Sequence, residues 1–98
     1  MHGEYKVPGG KLVVVDTDVV EERLTHVRVS GDFFLDPDDA LTRITASLEG
    51  APASLSAKEL AARVEAALHE GDTLMGVTPE AVGIAVRRAL GAALSWDD

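Results

Sequence analysis

Gly31-Asp32-Phe33-Phe34-Leu35-Asp36-Pro37-Asp38-Asp39 is the stretch in which the chain changes period. Before it, apolar residues recur at every second position; after it, they recur every three to four. The first spacing belongs to strands and the second to helices, so the sequence divides into a β half and an α half. Gly31 breaks the alternation, and Phe33 to Leu35 read as a short third strand able to join the preceding sheet. Asp36 then reads as a helix N-cap, with Pro37 at the first helical position and Asp38 and Asp39 where the helix dipole favours negative charge.

Working back, residues 11 to 19 alternate: Val13, Val15, Thr17 and Val19 share one face, and Leu12, Val14, Asp16 and Asp18 the other. After Glu21-Glu22 the stretch 23 to 30 alternates again, with Thr25, Val27 and Val29 on one face and Leu24, His26 and Arg28 on the other. The two runs predict a hairpin. His2 is expected at a mobile terminus.

Working forward, Leu41, Ile44 and Leu48 make one apolar helical stripe ended by Gly50. Ser56 and Glu59 form a capping box, with Leu55 placed to staple against Leu60. Leu60, Val64, Ala67 and Leu68 are the expected core face of this second helix, and Gly71 its end. After a loop over 70 to 77, Thr78-Pro79-Glu80 opens a third helix by N-cap and proline. Its buried stripe is expected at Val82, Ala85, Val86, Ala89, Leu90 and Ala93. Three strands followed by three helices predict an α+β domain in two layers, a three-stranded antiparallel sheet covered by helices. One domain over 1–98 is expected, with a folded core at 5–94 and a tail at 95–98.

Composition narrows the function classes. A chain of 98 residues buries about 65% of its unfolded surface, enough for one modest core. The absence of cysteine excludes disulfides, thiolate metal sites, iron-sulfur ligation and a cysteine nucleophile. Nine Lys and Arg against 17 Asp and Glu give a net charge of -8, which repels phosphate backbones; nucleic acid is not an expected partner. The apolar runs are far below the roughly 20 residues that span a bilayer, so a cytoplasmic protein without a membrane partner is expected.

Lys6-Val7-Pro8-Gly9-Gly10-Lys11-Leu12-Val13 is the other unusual segment. It resembles a phosphate loop only superficially. That motif needs another glycine where Tyr5 stands and Ser or Thr where Leu12 stands, and a strand rather than a helix follows. A tight turn entering a strand with a solvated Lys11 is the plain alternative. His2, His26 and His69 lack the spacing of a metal site, the acidic cluster at 36 to 39 lacks the glycine and distal glutamate of a calcium loop, and no serine has a triad-like setting. In Gly31-Asp32-Phe33-Phe34, neighbouring phenylalanines point to opposite faces: one plugs the core, and the other, with Leu12, Val14 and Leu24, forms an outer apolar patch for a partner.

Taken together, Lys6-x-Pro8-Gly9-Gly10-Lys11-Leu12-Val13, Gly31-Asp32-Phe33-Phe34, Pro37, Leu48-Glu49-Gly50 and Gly76-Val77-Thr78-Pro79-Glu80 resemble the C-terminal, or accessory, domain of lipoate-protein ligase. The resemblance spans residues 5 to 90. It implies a fold similar to the iron-sulfur scaffold-like fold without its cysteines. It also implies a role: the small domain supports a large catalytic domain that activates lipoate with ATP to lipoyl-adenylate and passes the lipoyl group to an acceptor lysine.

A chain starting at its own Met1 with no catalytic domain looks like the separate subunit of a two-part ligase, inactive alone and paired in a heterodimer with the large subunit. Lipoyl acceptor domains are a further implied partner. Lipoate, ATP and Mg2+ belong to the complex, and no cofactor is expected on this chain alone. Gly9, Gly10, Lys11, Asp32, Phe33 and Phe34 are the residues expected to support the partner or the adenylation site, with no catalytic residue. Two other classes stay open: a non-catalytic interaction or regulatory module, and a sulfur-metabolism scaffold, against which the missing cysteines count.

Overall fold

The computed structural model describes residues 1–91; the expected roles of Ala93 and of the tail at 95–98 lie outside the described residues. The chain runs β1 (His2–Lys6), β2 (Leu12–Val20), β3 (Arg23–Gly31), β4 (Phe34–Asp36), α1 (Asp39–Leu48), α2 (Ala57–Ala66), β5 (Thr73–Met75) and α3 (Pro79–Leu90). It is an α+β fold whose main sheet is antiparallel and three-stranded, in the order β1-β2-β3.

The membership of that sheet differs from expectation. Its third strand is β1, and β4 pairs instead with β5 in a separate two-stranded sheet. β5 lies in the stretch expected to be loop and separates α2 from α3. β1 escapes the period test because one of its two inward positions is Gly3 and the other Tyr5. His2 is not loose: its Nδ1 lies 2.7 Å from Asp16 and its Nε2 2.7 Å from Glu4.

The β2–β3 hairpin forms as expected, turning through Glu21 and Glu22, both at positive φ (51° and 64°). Two positive φ values match the right-handed strand twist. Further along, Asp16 faces Arg28 but Asp18 faces Thr25, so β3 holds one extra residue. His26, at φ 52°, is that bulge. The bulge reverses the alternation, and Leu24 and Val27 both turn inward. Leu24 is therefore 0% exposed and not part of the outer patch assigned to it. The Glu49 carboxylate holds the bulge, accepting from the His26 and Val27 amides at 3.0 Å each.

The helices cover the sheet on one side. Val13, Val15, Leu24, Val27 and Val29 from the sheet meet Ile44 and Leu48 of α1, Leu60 and Val64 of α2, and Val82, Ala85 and Val86 of α3 in one core. α1 starts two residues late because Asp36 is held extended opposite Thr73. The Asp36–Pro37 peptide is cis, and Asp38 occupies the N-cap position without a side-chain cap bond. Ala40, not Leu41, joins Ile44 and Leu48 in the fully buried stripe.

In α2 the Ser56/Glu59 capping box is present in both directions. The helix ends at Ala66, where Ala67 and Leu68 tighten into three-residue hydrogen bonds. Those two residues are half-buried, and Ala57 and Ala61 complete the buried face. α3 opens as expected, Thr78 Oγ1 accepting from Ala81 N at 3.1 Å with Pro79 behind it.

α3 lies close on both neighbours because two glycines remove the side chains between backbones. A Cβ on Gly3 would sit 2.4 Å from Ala85 O, and one on Gly83 would sit 2.3 Å from Ala57 O. Gly3→Ala should therefore cost roughly 1–3 kcal/mol by forcing α3 off the sheet, read as a drop in urea midpoint. In the opposite direction, Glu21→Asn with Glu22→Gly relieves two left-handed residues. It should add about 1 kcal/mol and raise the melting temperature by about 4–8 °C.

Candidate functional site

The two glycine-containing motifs meet at one end of the molecule. The β1–β2 connection is a tight turn in which Gly10 N donates to Val7 O at 2.8 Å and Val7 N to Lys11 O at 3.1 Å. Gly9 supplies the positive φ (72°) that the turn requires. Lys6, part of the same motif, closes it: its Nζ donates to Gly10 O at 2.7 Å. Motif lysines are thus divided, with Lys6 structural and Lys11 facing outward.

Lys11 N donates to Gly76 O at 3.1 Å, which stitches the turn to the residue following β5. The Lys11 stem runs across Gly76, where a Cβ would lie 2.5 Å from Lys11 Cγ. Its ammonium makes no hydrogen bond or ion pair among the described residues. Gly31 makes the matching contact on the other side: a Cβ there would lie 2.1 Å from Leu12 O and 2.9 Å from the Phe33 ring. The chain can then fold Phe33 back over the sheet end.

β4 and β5 complete the ring. Leu35 and Leu74 face each other on the inner side of this small sheet. Phe34 and Met75, directly opposed on the outer side, are 58% and 59% exposed. Phe33 is half-buried against the core and Phe34 is outside, as the alternation requires. Asp32, between them and Gly31, is exposed. All six expected residues, Gly9, Gly10, Lys11, Asp32, Phe33 and Phe34, therefore sit along the same rim. The sequence reading missed Met75, which a three-residue strand is too short to advertise by period, and it quoted Gly76 in the resemblance without placing it at this rim. Leu12 and Val14 are half-buried on the outer sheet face.

β5 is held in place from behind. The Arg43 guanidinium binds the Asp72 carboxylate through both oxygens, at 2.8 and 3.0 Å, and also donates to Ala67 O at 2.8 Å. Asp72 accepts from His69 N at 2.7 Å, and its side chain is only 5% exposed. The Arg43 guanidinium, aided by the His69 amide, pulls the Asp72 carboxyl from its ordinary value near 3.8 down to about 2. Such a bidentate charged pair fixes direction as well as distance.

What this arrangement can do chemically is bind. It offers an apolar pair, the Lys11 ammonium, the exposed Asp32 carboxylate and a backbone held by the turn and the small sheet. Among the described residues no group of three or more His, Asp or Glu is placed to hold a metal ion. No helix there is long and apolar enough to cross a membrane.

No family model matches the chain, and no curated protein matches it either. Among solved structures, it superposes on a chain from the structural analysis of an archaeal lipoylation system, a bi-partite lipoate protein ligase and its E2 lipoyl domain from Thermoplasma acidophilum. The TM-score is 0.67 at 27% identity. This chain is similar to a component of a lipoate protein ligase system. The similarity covers 89% of this chain and 98% of the other, so it is a likeness of whole chains of nearly equal length rather than of a shared fragment. The likeness in three dimensions is to a component of the kind of system that the glycine motifs resemble.

The Arg43–Asp72 pair gives this rim an acid limit. A carboxyl held at about 2 when folded and 3.8 when unfolded stabilises the fold fully above about pH 4, and the contribution is lost as pH falls through 2. Asp72→Asn should be less stable than the wild type at neutral pH. It should also lose less between pH 4 and 2, in urea midpoints measured across that range.

Proposed function

We propose that this chain is the accessory subunit of a two-part lipoate-protein ligase. It works in the cytoplasm in protein lipoylation, docked on a separate catalytic subunit that carries out ATP-dependent activation of lipoate to lipoyl-adenylate. The observation that carries this reading is the whole-length likeness to a component of a bi-partite ligase, joined to the convergence of both sequence motifs on one exposed rim.

Phe34 and Met75 supply the apolar centre of the contact, the kind of side chain that dominates interface energetics. Gly31 and Gly76 keep that centre flush with the turn, so a partner backbone can approach closely. Lys11 projects an unpaired ammonium from an otherwise acidic chain and suits one phosphate or carboxylate oxygen of the completed site through a charge-assisted hydrogen bond. A single lysine is not a nucleotide pocket. ATP, Mg2+ and lipoate therefore belong on the catalytic subunit, and this chain contributes conformation and at most one charge. Lipoyl acceptor domains are served by the complex.

Mixing this chain with the separately encoded catalytic subunit should give a heterodimer that forms lipoyl-adenylate faster than the catalytic subunit alone. Lys11→Ala should reduce adenylate formation about tenfold, the loss of one charged hydrogen bond, with an unchanged melting curve. Phe34→Ala and Met75→Ala should weaken the heterodimer by about tenfold or more each. The exposed Phe34–Met75 pair also favours a second reading, a non-catalytic interaction or regulatory module. A stable complex with no gain in adenylate would select that reading, and no complex with no gain of activity would reject the ligase reading.

A further inference from the structure

The main sheet has one edge that is closed in steps and then left open. β3 is its outer strand. At its start Leu24 N donates to Ala51 O at 2.9 Å, and Leu24 O accepts from Gly50 N at 2.7 Å. At the bulge, Glu49 takes the His26 and Val27 amides. Beyond that the cover stops.

Alternation places the next polar pair. Thr17 N donates to Met1 O at 2.9 Å and Val7 N to Lys11 O at 3.1 Å, so the odd-numbered residues of β2 turn their peptide groups toward β1. Val15 is one of them, and Val29 stands opposite it. Val29 therefore points its N–H and C=O away from β2, toward the outer edge, where neither has a partner among the described residues. Two adjoining grooves of about 450 and 470 Å³ lie along this edge, between β3 and α1. Val29 and Leu41 line both, and Phe33 and Leu35 extend the apolar floor of the first toward Phe34. An open strand edge beside an apolar trough is a template for another strand.

The charges select the occupant. Asp38 lines one groove and Glu49 the other, with Arg28 as the lining cation, and Asp32 and Asp36 are exposed alongside. A second copy of this chain would bring the same acidic rim and a further -8 charges to the contact, which opposes association. We infer that the Val29 edge and the β3–α1 trough accept an extended segment of a partner protein. That segment carries alternating apolar side chains and at least one lysine or arginine, and it adds as a fourth strand. If the partner is the catalytic subunit, this extends the docking contact proposed above; the edge itself does not require that identity.

The test uses amide hydrogen exchange on this chain, with a short synthetic peptide alternating valine and lysine as the probe. Saturating peptide should slow exchange of the Val29 amide by about tenfold or more, the signature of a new backbone hydrogen bond. The same peptide with glutamate in place of lysine, or with its backbone N-methylated, should leave Val29 unprotected. Asp38→Lys should weaken binding about tenfold through like charge. Equal protection by the glutamate peptide, no protection by the lysine peptide, or Val29 protection that rises with the concentration of this chain alone would each overturn the inference. Protection of Val29 without any gain of adenylate in the mixed ligase would overturn the ligase reading and leave the edge standing. A gain of adenylate with no protection would do the reverse.

Discussion

The approach of α3 to both of its neighbours sets the thickness of the whole molecule. Gly3 lets its backbone rest on β1 and Gly83 lets it rest on α2, with backbone atoms where a Cβ would otherwise be. Closely packed interiors do not absorb an extra methyl group without displacement. Everything that follows from α3 inherits this position: its first turn fixes Val77 and Gly76, and Gly76 in turn receives the Lys11 amide. Arg88 adds a second tie from the same helix, stacking 5.0 Å above the Tyr5 ring and donating to Glu4 O.

Regular periodicity made much of this fold legible, and the exceptions have local causes. The hairpin, the capping box at Ser56 and the proline start of α3 could be read because side chains and backbone ask for the same structure there. β1 could not, since its inward glycine is chosen for contact with a helix rather than for strand propensity. The bulge at His26 was hidden because it depends on a carboxylate that comes from Glu49, 23 residues away. Asp36 looked like a cap because proline follows it, and it is a strand residue because Thr73 lies opposite. In each case a tertiary contact overrode a local preference.

The same division holds for the candidate site. The rim residues stood out because glycine, lysine and phenylalanine are an odd combination in a short acidic chain. Their meeting depends on β5, whose three residues have no detectable pattern, and on the Arg43–Asp72 pair that fixes β5 from behind. Electrostatics therefore acts twice on one small sheet. A half-buried pair orients it, and an unpaired lysine at its border faces outward.

Pairing Phe34 with Met75 joins two points far apart in sequence, with both α1 and α2 threaded between them. Closing so long a loop is entropically unfavourable and yields only a three-residue ladder. The pairing becomes favourable only once α1 and α2 have packed and brought the two segments together. The exposed pair therefore depends on the packing of the two helices between its members, and loosening of that packing separates Phe34 from Met75. The contact proposed for this pair is thus a property of the folded domain, because neither segment alone carries both side chains.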